Sequence, residues 1–186
     1  YRPDRTSNTT FYGIYAYANG NTKIIGNKVH DPFPMNTTTT SSAYGIYAYG
    51  FSGTASDYSV MANNLIYNFN SAGTQYLLAP YLTSYAKVIH NTIIAEDPSS
   101  SGTSGSTYAI YNPSTSDNTY LQNNLVYLNR KVGSGTSYFY YQSGAVAASS
   151  VINNNVYYAP STFTVSSFGY YGGSAIASFN SWKSVT

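Results

Sequence analysis

Cysteine is absent from this sequence of 186 residues, and charged residues make up only 8% of it. Without cysteine the chain has no disulfide, no thiolate nucleophile and no cysteine-based zinc site. Eight Lys and Arg stand against six Asp and Glu, and the basic residues are scattered apart from Arg130 and Lys131. Such a chain lacks the electrostatic footprint of a nucleic-acid-binding protein, so we expect no nucleic-acid partner.

Long apolar runs are also missing from the sequence. Its continuous apolar stretches are a few residues long, whereas a helix needs about 20 apolar residues to span a bilayer, so we expect no membrane span. The apolar fraction of 42% nevertheless suffices for a core, and the length corresponds to one domain over residues 1–186. Because the chain begins with Tyr1 rather than Met, we expect a fragment of a longer protein.

The sequence does contain an internal repeat of about 31 residues. Six segments align without gaps, with starts 32, 32, 32, 30 and 30 residues apart: YGIYA at Tyr12, YGIYA at Tyr44, YLLAP at Tyr76, YAIYN at Tyr108, YFYYQ at Tyr138 and FGYYG at Phe168. A second series, with the pattern apolar, apolar, any, Asn, any, apolar, interleaves with the first. Two interleaved series with one period indicate a repeated structural unit.

The repeated segments are typical of strands. They are short, alternate with period two, are rich in β-branched and aromatic residues, and are bounded by turn residues. Strands that recur in sets at a fixed interval predict a solenoid in which each repeat forms one coil. We therefore predict an all-β protein, a parallel β-helix of about six coils. The clearest repeats cover residues 11–158, and residues 159–186 form the last coil and an exit segment.

One Asn recurs in the second series. At a bend between strands, Asn tolerates left-handed backbone angles, and its amide can donate to the Asn one coil away. Stacked Asn residues would then form a structural ladder rather than an active site. The residues predicted for this ladder are Asn27, Asn63, Asn91, Asn123 and Asn154.

The pairing of YGIY with a following xIxxNxV segment resembles the pectin-lyase-like right-handed parallel β-helix superfamily, from Phe11 to about Tyr158. The closing segments INNNVYYAP, FGYYGG and SFNSWKS are similar to those of β-helix regions in large surface proteins of the Bacteroidota exported by type IX secretion. The resemblance implies a right-handed solenoid in a secreted protein, extracellular or at the cell surface. It does not identify the chemistry, because β-helices host lyases, hydrolases, adhesins and inert stalks.

Acidic residues are the only candidates for catalysis. A pectate lyase needs clustered carboxylates for calcium, but Asp31 and Asp97 lie near one corner two coils apart, which is about 10 Å. An inverting glycosidase tolerates carboxylates about 6.5 to 9.5 Å apart, so this pair, with Glu96, stays open as a catalytic site. Asp beside Pro or Gly also initiates turns, which is the interpretation we prefer. We expect no metal site, since His30 and His90 lie in different registers, and no cofactor.

The sequence contains 23 tyrosines, more than a β-helix core alone would require. In YGIYAY, period-two alternation places Tyr12 and Ile14 on one face of the strand, and Tyr15 and Tyr17 on the other. With Ile directed inward, a column of outward tyrosines follows, which Ala79 interrupts in the third coil. Its members are Tyr15, Tyr47, Tyr111, Tyr141 and Tyr171, with Tyr17 and Tyr49 beside it. Such a column either stabilises neighbouring strands or binds a partner.

Two functions from different classes follow from these patterns. The first, favoured by the missing catalytic cluster, is a non-enzymatic structural and adhesive module, a stalk or filament unit whose Tyr-rich face contacts glycans or other proteins. The alternative is a polysaccharide-cleaving enzyme that uses Asp31, Glu96 and Asp97. Neither terminal segment resembles an amphipathic capping helix, so we expect neighbouring domains or identical copies to cover the ends of the β-helix.

Overall fold

The structure is a computed structural model that describes residues 9–17, 20–33, 38–97, 105–161 and 165–184. In this part of the chain, short strands and one helix of five residues make up the regular structure. In chain order the elements are β1 (Phe11–Tyr17), β2 (Lys23–Ile25), β3 (Lys28–Val29), β4 (Ala43–Tyr49), β5 (Ser59–Ala62), β6 (Leu65–Ile66), β7 (Gln75–Tyr81), β8 (Thr83–Ile89), β9 (Thr92–Asp97), β10 (Thr107–Asn112), β11 (Ser116–Gln122), β12 (Leu125–Arg130), β13 (Ser137–Gln142), β14 (Val151–Asn153), β15 (Val156–Tyr158), β16 (Gly169–Tyr171), β17 (Ser174–Ile176) and α1 (Phe179–Lys183).

The strands form three sheets, which are the walls of a solenoid. Sheet A has the order β1-β4-β7-β10-β13-β16-β17, sheet B has β2-β5-β8-β11-β14, and sheet C has β3-β6-β9-β12-β15. Strands β1 to β3 pair in parallel orientation with the strands three positions later in the chain, β4 to β6, and the later levels continue this pattern. Each turn of the chain therefore adds one level of three strands. The predicted all-β parallel β-helix is confirmed.

The number of coils is smaller than the six predicted. Among the described residues, five levels carry a strand in every sheet, which corresponds to about four full turns from the first level to the fifth. Strand β16 begins a sixth level, but β17 then pairs with it in antiparallel orientation. The chain therefore folds back on sheet A instead of completing a further turn.

The core lies between the three sheets and consists of stacked apolar side chains. Ile46, Leu78 and Ile110 follow one another along sheet A, and Met61 is followed by Val88 along sheet B; all are fully buried. Corresponding residues of neighbouring levels are about 4.8 Å apart, so each apolar side chain packs on the one above and below. This contact explains why apolar positions recur at the repeat spacing.

Sheet A departs from strict alternation at one point in each level. Gly45 and Ile46 of β4 are both buried, and their equivalents in later levels are buried in the same way. Two successive inward residues turn the preceding tyrosine outward. The predicted inward placement of Tyr12 is therefore wrong: Tyr12 is 41% exposed, and its ring meets Tyr15 edge to face at 5.2 Å.

The C-terminal end of the solenoid is partly covered by α1. The Ser178 hydroxyl caps this helix by accepting from the Ser181 N–H at 3.2 Å. Trp182 is 3% exposed, and its ring lies 5.0 Å from Tyr140 and 5.7 Å from Phe168. The expectation that no capping helix is present is therefore wrong, because SFNSWKS forms a short helix whose buried Trp182 packs against the end of the core.

Candidate functional site

The outer face of sheet A carries three ranks of tyrosine, which we call the tyrosine face. The first rank is Tyr12, Tyr44, Tyr76, Tyr108 and Tyr138, the second is Tyr15, Tyr47, Tyr111, Tyr141 and Tyr170, and the third is Tyr17, Tyr49 and Tyr81. Parallel pairing in register places each side chain above its equivalent in the previous level. The ranks therefore run along the solenoid axis.

Rings within a rank stack face to face. In the first rank, the centroids of Tyr12 and Tyr44 are 4.7 Å apart, with an interplanar angle of 10°. The next two steps, from Tyr44 to Tyr76 and from Tyr76 to Tyr108, are 4.5 and 5.0 Å, with angles of 8° and 5°. Aromatic pairs contribute about 0.5 to 1.5 kcal/mol beyond the area they bury. The ranks thus stabilise the sheet and also present a flat aromatic surface.

Contacts between ranks make the surface continuous. Tyr44 and Tyr47 meet edge to face at 5.3 Å and 75°. At the third level Ala79 takes the place of a second-rank tyrosine, as the sequence predicts. There Tyr111 lies 4.6 Å from Tyr76, and Ala79 is fully buried. The gap in the second rank is therefore closed by its neighbours.

Six of the seven tyrosines predicted to face outward do lie on the tyrosine face. They are Tyr15, Tyr47, Tyr111, Tyr141, Tyr17 and Tyr49. Tyr15 and Tyr17 are 56% and 65% exposed, whereas the other four are partly covered by adjacent rings. Their placement is confirmed, and their role in binding stays a prediction.

The predicted position of Tyr171 is wrong by one residue. Strand β16 pairs with β13 so that Tyr141 lies opposite Tyr170, and these two rings stack at 4.6 Å. Tyr171 instead contacts Trp182 of the cap, at 6.2 Å. The physical reason is Gly169, which faces the cap: a Cβ on it would lie 3.0 Å from the Trp182 ring. The cap thus fixes a register that the sequence repeat does not show.

Close packing of the tyrosine face also changes its acid–base behaviour. Burial, and next the neighbouring phenols, raise the pKa of Tyr44 and Tyr111 above the ordinary value of about 10. The same causes raise the pKa of Tyr47 and Tyr141. The folded chain therefore holds these phenol protons more tightly than the unfolded chain does.

Stability should accordingly fall above about pH 10. Below that pH the phenols are neutral in both states, and the stabilisation is fully present. As the pH rises further, the unfolded chain ionises first, which favours unfolding until the folded chain ionises too. Urea unfolding at pH 8 and pH 11 measures the loss. The double variant Tyr44→Phe/Tyr111→Phe should lose less on going to alkaline pH, and an equal loss in both proteins would contradict this origin.

Five Asn side chains form a hydrogen-bonded ladder at the corner between sheets B and C. The rungs are Asn27, Asn64, Asn91, Asn124 and Asn155. In the first four rungs, Nδ2 donates to the Oδ1 of the next rung at 2.9 Å. The backbone N–H of each of these four rungs donates to the same oxygen, at 2.9 to 3.1 Å. The ladder satisfies polar groups at a corner where no strand pairing is available.

The predicted ladder has the right chemistry and three wrong members. The rungs predicted correctly are Asn27 and Asn91, and the residues predicted wrongly are Asn63, Asn123 and Asn154. These three precede the true rungs and have a positive φ, as do Gly26 (73°) and His90 (56°) at the same position. In the repeats with two adjacent Asn, the sequence does not show which of them is the rung. The first and third repeats contain only Asn27 and Asn91, and aligning the other repeats on these two residues identifies the correct rungs.

The structure does not place the candidate catalytic acids in one cluster. The Asp31 carboxylate follows β3 on the first level, accepts from the Asn68 side chain and lies 2.6 Å from His30 Nδ1. Glu96 is exposed on β9, which belongs to the third level, so two levels or about 10 Å separate it from Asp31. Asp97 ends β9, and its side chain lies outside the described part. A catalytic role for these acids stays a prediction.

A groove that the sequence patterns do not predict lies on the outer face of sheet B. Its volume is about 440 Å³, and Lys87 lies within it. The Lys87 ammonium is 4.9 Å from the Tyr58 ring centroid and 6.0 Å from that of Tyr120. His90 and Gln122 add polar groups to the lining. Aromatic walls with a cation and amides suit a polyhydroxylated or anionic ligand. Only the strand register brings these residues together.

Within the described residues, no group of three or more His, Asp or Glu side chains could hold a metal ion. No helix in that part of the chain is long and apolar enough to cross a membrane. Comparison of the chain with protein-family models, with curated proteins and with solved structures gave no match. Fold and surface together define a parallel β-solenoid repeat protein with a tyrosine-rich face, and its function has to be argued from its own residues.

Proposed function

We propose that this chain is a non-enzymatic structural and adhesive module, a stalk or filament unit of a secreted or cell-surface protein. The observation that carries the proposal is the continuous tyrosine face along sheet A. Flat rings with hydroxyl tips suit sugar rings, which also combine apolar faces with hydroxyl edges. A contiguous aromatic surface on a folded protein is typical of an interaction site.

The arrangement of the ranks favours an elongated ligand. The first-rank centroids are 4.5 to 5.7 Å apart over five levels, so a chain-like glycan along the axis meets a ring at every level. Each level is hydrogen-bonded to its neighbours, which makes a solenoid stiff along its axis and suited to a stalk. Weak contacts at successive levels then add up along the same molecule.

Replacing Tyr15, Tyr47 and Tyr111 with Ser should weaken glycan binding about tenfold or more, because three ring contacts are removed from one surface. Binding is measured on a glycan array and on insoluble polysaccharides. The matched control is Tyr127→Ser/Tyr158→Ser, which removes two stacked rings from sheet C instead. Far-ultraviolet circular dichroism confirms that both variants are folded.

Three results would contradict the adhesive proposal. The first is unchanged binding in the triple variant, and the second is equal weakening in the sheet C control. The third is turnover of a polysaccharide that disappears in Glu96→Gln, which would favour the cleaving enzyme with Asp31, Glu96 and Asp97. Binding of proteins but of no glycan would keep the tyrosine face as an interaction site and change its partner.

A further inference from the structure

The groove on the outer face of sheet B contains a cation that no described carboxylate neutralises. Lys87 of β8 lies in register opposite Tyr120 of β11, and both side chains line the groove. A lysine ammonium has three N–H donors. In the part of the chain that the structure describes, the ion pairs are those of Lys23 and His30, and no acceptor takes a hydrogen bond from Lys87. The groove therefore presents one full positive charge with free donors.

The acidic residues on either side of this groove are bonded to other groups. Asp57 directly precedes the segment that leads into β5, and its carboxylate pairs with Lys23 at 2.7 Å. Asp117 of β11 accepts from the Ser149 hydroxyl at 2.9 Å, on the side of β14 and away from β8. Charged residues make up only 8% of the sequence, so few other charges surround the groove. The charge of Lys87 thus sets the sign of the ligand that this site favours.

Two aromatic rings hold the ammonium in place without neutralising it. The Lys87 ammonium is 4.9 Å from the Tyr58 ring centroid and 6.0 Å from that of Tyr120, which are cation–π distances. The two rings are 5.7 Å apart, and Tyr85 supports Tyr58 edge to face at 5.8 Å. A ring face orients a cation but leaves its charge and its N–H donors available. Because the cation is fixed before a ligand arrives, less conformational entropy is lost on binding.

The remaining groups of the lining suit hydroxyls. Gln122 donates from Nε2 to Asn153 at 2.5 Å, and among the described residues nothing donates to its Oε1. His90 and Asn123 add an imidazole and a second amide at the same end of the groove, and both are exposed. The volume of about 440 Å³ lies within the range of small-ligand sites, about 300 to 1,000 Å³. A ligand that fits this lining carries both a negative charge and hydroxyl groups.

We propose that the groove of sheet B binds an anionic sugar residue, whose carboxylate or sulfate ester accepts from the Lys87 ammonium. The hydroxyls of the sugar bond to the amides of Gln122 and Asn123, and its apolar face packs on an aromatic ring. Carboxylate and sulfate share the chemistry that the cation recognises, and the experiment below separates them. The site lies on a different wall of the solenoid from the tyrosine face and does not rest on the proposed function. It adds selection for charge, which neutral phenols do not provide.

The test measures calorimetric binding of the whole chain to matched tetrasaccharides of glucose, galactose or mannose. Each is used in its neutral form, oxidised to the uronic acid and sulfated at the same exocyclic carbon. In at least one set, an anionic form should bind about tenfold tighter than its neutral counterpart, and the tighter anion identifies the charged group. Lys87→Gln should abolish this preference. Lys87→Arg should retain most of it, because a guanidinium keeps the charge and also stacks on aromatic rings.

The matched control is Lys28→Gln, which removes the same charge from an exposed position of β3 in sheet C and should leave binding unchanged. Equal weakening in this control would reveal general charge attraction and overturn the site. No binding of any anionic tetrasaccharide at about 1 mM would overturn it as well.

A further variant separates this site from the tyrosine face. The triple variant Tyr15→Ser/Tyr47→Ser/Tyr111→Ser should bind the anionic tetrasaccharides as the wild type does, whether or not it loses adhesion. Loss of anion binding in this variant, with binding retained in Lys87→Gln, would assign the ligand to the tyrosine face and overturn the inference. Circular dichroism confirms the fold of each variant, so the two sites can fail separately.

Discussion

Replacing Arg130 with methionine is expected to lower the free energy of unfolding by about 4 kcal/mol. Arg130 ends β12 and is fully buried. Its Nη2 donates to the carbonyls of Ser71 and Gly73, at 2.7 and 2.8 Å, and its Nη1 donates to the Thr107 hydroxyl at 2.7 Å. Methionine keeps much of the volume but leaves these buried acceptors without their donor.

The planar guanidinium is needed because it joins two loops of neighbouring levels. These loops approach so closely that a Cβ on Gly105 would lie 2.3 Å from a backbone carbon of Gly73. Arg130→Lys should recover only part of the stability, since one ammonium cannot reach acceptors spread over both loops. The control is Lys28→Met, at an exposed position of β3, with an expected change below about 0.5 kcal/mol. Urea unfolding followed by circular dichroism makes the comparison, and equal effects at both positions would contradict the assignment.

Replacing Asn124 with alanine should lower the free energy of unfolding by about 3 kcal/mol, whereas Asn123→Gly should change it by less than about 0.5 kcal/mol. Asn124 is 1% exposed and is bonded on both sides. It accepts from the backbone and side chain of Asn91, and it donates to Asn155 and to the Val88 carbonyl. Alanine leaves the donors of Asn91 and the Val88 carbonyl buried without a partner.

The neighbouring position provides the matched control, because Asn123 has the same side chain in a different role. It is exposed and has a φ of 56°, a conformation that glycine adopts without strain. Unfolding of both variants by urea decides which Asn of the pair carries the ladder. A larger loss for Asn123→Gly would restore the rung assignment that the sequence alone suggests.

The wrong Asn rungs and the wrong position of Tyr171 share one cause, which is a register slip of a single residue. Aligning Asn63 with Asn91 shifted three rungs, and aligning FGYYG without a gap placed Tyr171 where Tyr170 lies. The repeat spacing shows how far apart equivalent segments are. It does not show which residue of an Asn-Asn or Tyr-Tyr pair occupies the equivalent position. Hydrogen bonding between levels and the packing of Trp182 decide between them.

Local sequence patterns also do not show where strand alternation breaks or which residues distant in the chain come into contact. The inward pair Gly45 and Ile46 breaks period-two alternation, and this break alone turns the first rank of tyrosines outward. Arg130 looks like part of a basic pair in the sequence, yet it is buried among carbonyl and hydroxyl oxygens of residues that precede it by 23 to 59 positions. Lys87 of β8 meets Tyr120 because β11 is the neighbouring strand, and it meets Tyr58 because that residue directly precedes β5 on the other side.

The sequence by itself determined the architecture, because a fixed period of strand segments can bury its apolar residues only by stacking one coil on the next. It also determined that tyrosine would form columns, since identical residues at the repeat spacing must stack. The tertiary structure decided which of two adjacent residues occupies each column, which polar groups are buried and how the C-terminal end is covered. These outcomes depend on contacts between levels, where a shift of one residue exchanges the inside of the solenoid for the outside.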